Sequence, residues 1–454
     1  MSDLKPFAEG FSMARCGEEA LVSYLDKCQV PIAPLPPEFE ALIPDVVRLV
    51  WSRLPWSRMD PVRGMTHAEA VAEMKPHTAV GYPFKEASKG EFLTAINQYR
   101  LFSNYRNVHT SPPYTTVAYK VEALPDATVK RKGCRILRFV NIDFLYKQLR
   151  LYGHLMHAHN DGADWPRDMC LGAFNEFCGG WERLHQAFDG LCCFGSDGKY
   201  YDTCFSDFDY AVIDLLLRKV MACTDLSVHE YIMKHSRVSH GLVRSNEIWR
   251  FRNTHSTGHL LTKVFNDLKT CSSFALTYLL EYRRRALNPQ REFELFSHCV
   301  VTAVCGDDNL FAVRCDDEDL SWFTGPLLRE TCGRMGTVFE LENEEPQNSD
   351  TLGFLSTTTI VDPPSGYRLP LHKGGKTIAK VLHAKHDERT TEMRWQRVYG
   401  ALLTCWPDPS YRRPLQAKLD QLRPHLEPGS THLNDKYDNR HLRLQFTGLE
   451  GPTL

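Results

Sequence analysis

Little in the composition of this 454-residue chain advertises a partner or a compartment. Lysine and arginine number 54 against 56 acids, so there is no global basic excess, and any site for a polyanion must be built locally. No apolar run approaches the ~18 residues that a membrane helix needs. The opening MSDLKPFAEG has no apolar stretch, which predicts no signal peptide. The 15 cysteines include no C-x-x-C pair, and the adjacent Cys192 and Cys193 cannot readily bridge each other, so a reducing, intracellular setting is expected. Internal repeats and long low-complexity segments are also missing, which excludes solenoids and arrays. What is present is a chain with 43% hydrophobic residues, long enough for a large core and several subdomains.

Periodicity orders those subdomains. Residues 1–115 are proline-rich and irregular, with short helical pieces. Ile136–His157 reads as a strand leading into a helix, and Leu191–Phe194 as a short buried strand ending at Gly195. Ser206 is placed to cap a helix running through Tyr210, Ile213, Leu216 and Val220. Trp249–Thr254 leads to a turn at Ser256, Thr257 and Gly258, followed by a long helix with Leu261, Val264, Phe265, Leu268, Phe274 and Leu279 at helical spacing. Leu320–Met335 is a further helix, Gly353–Ile360 is strand-like, and the Pro-Pro-Ser-Gly turn at 363–366 marks a boundary. Helical, moderately basic sequence then runs to a polar tail after Pro428. Strands and helices mix without a βαβ rhythm, so the class is α+β.

The chemistry concentrates at Gly306-Asp307-Asp308, a polar turn from Cys305 to Asn309 between the runs Val300–Val304 and Leu310–Val313. The pattern predicts a β-hairpin with two carboxylates at its tip. Folding alone gives no reason to place like charges there, whereas a pair of divalent cations does, since magnesium binds carboxylate oxygens together with substrate phosphates. The acidic run 315–319 reads instead as an exposed loop. Upstream, Asp197-Gly-Lys-Tyr-Tyr-Asp202 follows an apolar strand, so Asp197 is expected at a strand end, facing the hairpin. Gly258, Thr262 and Asn266, four apart, form a small polar stripe on one helix face. The basic run Lys130, Arg131, Lys132, Arg135, Arg138 is interleaved with Ile136, Leu137, Phe139 and Val140, which predicts an ordered strand aiming part of its charge inward, as a triphosphate requires.

These elements together resemble the RNA-dependent RNA polymerases of positive-strand RNA viruses, in particular the picornavirus-like supergroup. Thr78-Ala-Val-Gly81-Tyr82-Pro83 is similar to motif G on the template path, and Lys120-x-Glu122 with Arg135 to motif F. Asp197 and Asp202 resemble motif A; Thr257-Gly258-x-x-x-Thr262-x-x-x-Asn266 motif B; Gly306-Asp307-Asp308 motif C; Gly353-Phe-Leu-Ser356 motif E. They occur in the family's order. The chain departs from the family at Cys305, where relatives carry Tyr, and at Thr257, where Ser is usual. It also departs at motif D, because no lysine lies between Lys269 and Lys373, and Arg329 and Arg334 are poor proton donors.

The resemblance implies a right hand of fingers, palm and thumb with an antiparallel palm sheet. It divides the chain into fingers at 1–150, a first part of the palm with motif A at 151–216, a fingers insertion at 217–250, the palm with motifs B to E at 251–362, and thumb with C-terminal tail at 363–454. It implies template-directed RNA synthesis by two-metal nucleotidyl transfer. Asp197, Asp307 and Asp308 would hold two magnesium ions, with manganese as a substitute. Asp202, Thr257, Gly258, Thr262, Asn266, Lys120 and Arg135 would bind the ribonucleoside triphosphate, and Thr78, Gly81, Tyr82 and Pro83 would line the template path. The implied partners are RNA template and primer, a protein primer and other viral replication proteins; the implied location is the host cytoplasm, at replication membranes through those partners. The short segment after Pro364 reads as a compact thumb, hence primer-dependent initiation. Two rival readings are a reverse transcriptase, disfavoured by Asp202 in place of an aromatic ring, and an inactive polymerase-like RNA-binding protein, disfavoured by the full carboxylate set. His383-x-x-His386 lacks a third zinc ligand nearby and reads as a solvated helix face.

Overall fold

Two strands rich in β-branched and aromatic residues, Val300–Cys305 and Asp308–Val313, pair back to back through a connection of only Gly306 and Asp307. The turn is therefore tighter than the five-residue turn expected from polarity. A computed structural model describes residues 1–448 apart from 15, 30–33, 82–87, 95–97, 109–112, 121, 133, 222–224, 245–246, 315–319 and 384–389. In it the hairpin lies in a four-stranded antiparallel sheet, in the order Val338–Leu341, Cys193–Lys199, Asp308–Val313, Val300–Cys305. The strand expected to end at Gly195 continues to Lys199 and carries Asp197 within it. Its polar end is tolerated because the polar groups meet partners across the sheet: Ser196 Oγ donates to Asn309 Oδ1 at 2.9 Å.

One face of this sheet packs on the helix Thr262–Arg284, with Phe274 at 5.0 Å from Phe311, and Phe311 stacked on Phe194 at 5.4 Å. The helix is buried almost all round. Two of its hydroxyls are satisfied on the preceding turn, Ser272 on the Leu268 carbonyl at 2.6 Å and Ser273 on that of Lys269 at 3.0 Å. The opposite sheet face is covered by Trp181, Leu184 and Phe188. The helix begins at Thr262, so Gly258 sits in the turn before it and the expected three-residue stripe is only partly helical. Ser206 caps Asp207–Val220 with a reciprocal capping box, as its sequence suggests. The helix expected over Leu320–Met335 is confined to Gly325–Gly333, capped by Thr324.

A second four-stranded sheet runs in the order Arg135–Val140, Tyr114–Lys120, Val238–Arg244, Glu247–Arg252, with one parallel pairing between its two central strands. It joins segments far apart in the chain. The basic run is split: Lys130 to Lys132 end the helix Asp126–Lys132, and only Arg135 and Arg138 lie on the strand. Strand alternation sends Arg138 inward with Ile136 and Val140. Arg138 is 1% exposed; its guanidinium donates to Ser239 Oγ at 3.0 Å and to the carbonyl and hydroxyl of Thr254, both at 2.7 Å, over the ring of Phe251.

The C-terminal helices Gly374–Leu382, Thr391–Cys405 and Pro409–Leu422 close a separate apolar cluster around Trp395, Leu402, Trp406 and Leu415. Leu4 and Ala8 complete that cluster, while Phe11–Met13 pairs antiparallel with Ala123–Pro125 beside the second sheet. The first residues thus strap the C-terminal helices to the segment Ala123–Pro125. Thr357–Val361 pairs with Arg368–His372, a strand obscured in the sequence by Pro370. Among the described residues no helix is long and apolar enough to cross a membrane.

Because Arg138 ties three elements together, Arg138→Met is expected to cost about 3 kcal/mol, from hydrogen bonds to a charged donor and the acceptors left buried without one. Urea unfolding of the two proteins measures it.

Candidate active site

The hairpin turn owes its shape to Gly306, whose φ of +74° is a left-handed value, while Asp307 has an ordinary negative φ. Glycine first and an ordinary residue second is the pattern of a II′ hairpin connection. The helix Thr262–Arg284 grips the turn at both ends. Asp267 Oδ1 accepts from the Gly306 N–H at 2.6 Å, and Thr270 Oγ1 donates to the Gly306 carbonyl at 2.7 Å. Asp267 is fully buried and takes two more hydrogen bonds on Oδ2, from His159 Nε2 and Lys263 Nζ, each 2.7 Å. Burial alone would raise its pKa, but those partners hold it below the usual carboxylate range.

Register brings the acids together. Asp197 is the cross-strand partner of Asp308, and Glu340 is its partner on the other side. Asp307, in the turn, passes its carbonyl to the Gly198 N–H at 3.1 Å. A Cβ on Gly198 would fall 2.2 Å from the Tyr201 ring and 2.9 Å from Asp307 Cβ, so only glycine lets the two motifs approach this closely. Crowding shows in the acidities. Desolvation and the charges of Asp307 and Glu340 push Asp197 up to about 6, and desolvation with the charges of Asp197 and Asp307 pushes Asp308 up to about 8. Asp307 is raised as well, chiefly by desolvation. Asp308 Oδ2 also accepts from the Leu355 N–H at 2.6 Å.

Asn266 and Asp202, singled out from motifs 64 residues apart, meet: Asn266 Nδ2 donates to Asp202 Oδ1 at 3.3 Å. Burial raises the Asp202 pKa against the pull of that bond. Arg135 and Lys120 are cross-strand partners that converge on Glu122, Arg135 through two contacts at 2.5 and 3.1 Å and Lys120 at 3.3 Å. The charges of Asp307 and Asp202 reach Arg135. Thr257 and Gly258 are occupied elsewhere. The Arg138 carbonyl accepts from Ser256 Oγ at 2.8 Å, from the Gly258 N–H at 2.7 Å and from Thr257 Oγ1 at 3.3 Å, docking this turn on the second sheet. Thr262 Oγ1 donates to the His259 carbonyl at 2.8 Å, closing the same turn.

Thr78 accepts at its hydroxyl from Lys89 Nζ, 2.7 Å, and Gly81 adopts a φ of +85° against Asn141; Tyr82 and Pro83 lie outside the described residues, as do 315–319 and His386. Arg329 pairs with Glu344 and Arg334 with Glu38. Sequence reasoning missed Asp267, Thr270 and the Leu355 amide. The one available signal was an acid next to Asn266 in an otherwise apolar helix.

Three carboxylates raised by desolvation and by one another form an all-oxygen donor set, which fits a hard divalent cation such as magnesium. A second buried group of ligand types, His159, Cys170 and Asp267, is different: Asp267 Oδ2 already accepts from the Lys263 ammonium and from His159 Nε2.

With this geometry in view, the fold has a counterpart among solved structures. The chain is similar to a Sicinivirus 3Dpol RNA-dependent RNA polymerase, with a TM-score of 0.71 over 92% of this chain and 88% of that one, at 13% sequence identity. The mixed helix and sheet content and this match fit a right-hand polymerase fold. No protein-family model matches the sequence, and no curated protein matches it either.

The raised pKa values set a pH dependence. Asp197 and Asp308 bind protons more tightly folded than unfolded, so their contribution to stability is fully present below about pH 4 and is lost as pH rises through about 6 and about 8. In EDTA, this pair is therefore expected to pull the melting temperature down between pH 5 and 8.5, against the buried His185, His235 and His259, whose lowered pKa values act the other way below about pH 6.5. Asp308→Asn should flatten that fall and add a few degrees at pH 8, as read by differential scanning fluorimetry.

Proposed function

We propose that this protein is an RNA-dependent RNA polymerase that replicates and transcribes a viral RNA genome. The observation that carries the reading is the meeting of Asp197 and Asp308 in register, with Asp307 in the adjoining turn and the Asp202–Asn266 pair alongside. Under this reading the first sheet is the palm, the second sheet belongs to the fingers, and the C-terminal helices form the thumb, with the divisions at 150, 216, 250 and 362. The pairing of 114–140 with 238–252 supports assigning 217–250 to the fingers.

Asp197 and Asp307 would hold two magnesium ions, or manganese in their place, with Asp308 supporting. Such ions, when bound, neutralise charge on the attacking and leaving oxygens. Arg135 and Lys120, tethered by Glu122, would meet the triphosphate. Asp202, oriented by Asn266, would accept a hydrogen bond from the ribose 2′-hydroxyl. That acceptor favours ribonucleotides and speaks against a reverse transcriptase, where a bulky ring would exclude the hydroxyl. The carboxylates, which repel phosphate, speak against an RNA-binding scaffold. RNA template, primer and ribonucleoside triphosphates are the partners. Primer-dependent initiation, with a protein primer as one form, belongs to the same proposal, at host cytoplasmic membranes reached through other replication proteins.

Extension of a primed RNA template with ribonucleotides and magnesium tests the proposal. Asp197→Ala and Asp307→Ala are expected to lose at least 99% of incorporation while binding RNA normally; a tenth of wild-type activity in Asp307→Ala would remove the mechanism. Asp202→Ala should lower the preference for ribo- over deoxyribonucleotides roughly tenfold, the size of one lost hydrogen bond to a buried acceptor; an unchanged ratio of kcat/KM would contradict the sugar assignment.

A further inference from the structure

A second cluster of metal-ligating side chains lies beside the hairpin, and the chemistry proposed above makes no use of it. Four such side chains from three segments meet there: His159 on the helix Ile142–Asp161, Cys170 on the stretch bridged to Val304, and Asp267 with Cys271, one turn apart on the helix Thr262–Arg284. All four are fully buried. Single ligand atoms of His159, Cys170 and Asp267 lie within 4.8 Å of one another, and Cys271 Sγ is 3.4 Å from Cys170 Sγ. Imidazole, carboxylate and two thiolates make the donor set of a closed tetrahedral zinc site, whose ligand atoms stand about 3.3–3.8 Å apart. The two sulfurs already have that spacing.

A cation is held at this place even without a metal. The Lys263 ammonium donates to Asp267 Oδ2 at 2.7 Å, and its side chain is 35% exposed where the four ligands are closed off. Lysine therefore reaches in from the solvent side, and its withdrawal opens a path. His159 Nε2 donates to the same oxygen at 2.7 Å, and its Nδ1 has no hydrogen-bond partner among the described residues, so no second bond fixes the tautomer. The hydrogen bond with Cys271 and burial hold the Cys170 thiol well above its usual pKa, so it stays protonated until a metal displaces the proton. The buried Arg53 guanidinium, 4% exposed, lies close enough to feel the charge of both sulfurs.

We propose that His159 Nε2, Cys170 Sγ, Asp267 Oδ2 and Cys271 Sγ form a site for one thiophilic divalent cation of the zinc class, taken up in exchange for the Lys263 ammonium. On binding, both thiols release their protons to solvent, the His159 proton moves from Nε2 to Nδ1, and Lys263 withdraws with its own. One dication thus replaces one ammonium and two protons, and the single negative charge gained faces Arg53. Asp267 Oδ1 stays on the Gly306 N–H, so the ion staples the hairpin turn, the stretch bridged to Val304 and two helices together. Neither the site nor its test depends on the polymerase reading.

The test is titration of metal-free, full-length protein with cobalt(II), in a phosphine reductant and with excess magnesium to fill the carboxylates of the sheet. One equivalent is expected to give a thiolate-to-cobalt charge-transfer band with the intense visible bands of a tetrahedral ion, and one equivalent of zinc should bleach both. Cys170→Ser and Cys271→Ser should each weaken the charge-transfer band, while Cys192→Ser, at an exposed thiol, should leave it unchanged. Lys263→Met should bind cobalt about tenfold more tightly, because metal entry no longer breaks a hydrogen bond between charged groups. A wild type without the band, a band at full strength in Cys170→Ser, or unchanged affinity in Lys263→Met overturns the proposal. Zinc-edge X-ray absorption of the wild-type protein keeps the test decisive if the cysteine variants do not fold: a shell with sulfur and imidazole supports the site, and an all-oxygen shell overturns it.

Discussion

Like-charge repulsion among Asp197, Asp307 and Asp308 is the constraint around which the rest is arranged. Left to themselves, three acids at one end of a sheet would splay the strands or take up protons, and the raised pKa values of Asp197 and Asp308 register that pressure. The sheet resists it through groups with no part in the chemistry. Asp267 and Thr270 fix the turn from the helix below, and Gly198 lets the strands close without steric contact. Asp267 makes the contrast plain: a fully buried acid a few ångströms from the cluster stays ionised because His159, Lys263 and a backbone amide all donate to it. Ionisation here is decided by the count of donors, not by depth.

The same economy governs the turn before the long helix. Ser256, Thr257 and Gly258 all address the carbonyl of Arg138, while the guanidinium of that residue reaches back to Thr254. One buried residue therefore sets the distance between the two sheets. A cation that in the sequence belongs to a basic run works here as an internal strut, and Arg135, three positions earlier and on the opposite face of the strand, keeps its outward aspect beside Glu122.

How much of this was legible in the sequence follows from how far apart the partners lie. The hairpin could be read because its signals are contiguous, and the Asp202–Asn266 pair because each residue stands in a recognisable spacing. The extent of the Asp197 strand was underestimated, since its polar end lacks the apolar alternation that marks a strand and is held by partners on both sides, Asn309 and Asp308 on one and Val338–Leu341 on the other. The clamp from Asp267 to Gly306 and the bond from Leu355 to Asp308 join residues 39 and 47 positions apart through a side chain and a backbone amide, and no local pattern encodes such pairings. The inward turn of Arg138 was readable in outline from the interleaved apolar residues, but its partner at Thr254, 116 positions away, was not.

The strap formed by the first residues has a consequence for how the chain matures. Leu4 and Ala8 find their apolar neighbours on helices that include Trp395, Leu402 and Leu415, near the opposite end of the polypeptide. During synthesis the seam they close waits, with these side chains in water, until Trp395, Leu402 and Leu415 have left the ribosome. Its sequence separation makes it a slow, late contact in folding. A nascent chain therefore passes through a stage in which the strands carrying Asp197 and Asp308 are made and the strap still hangs open.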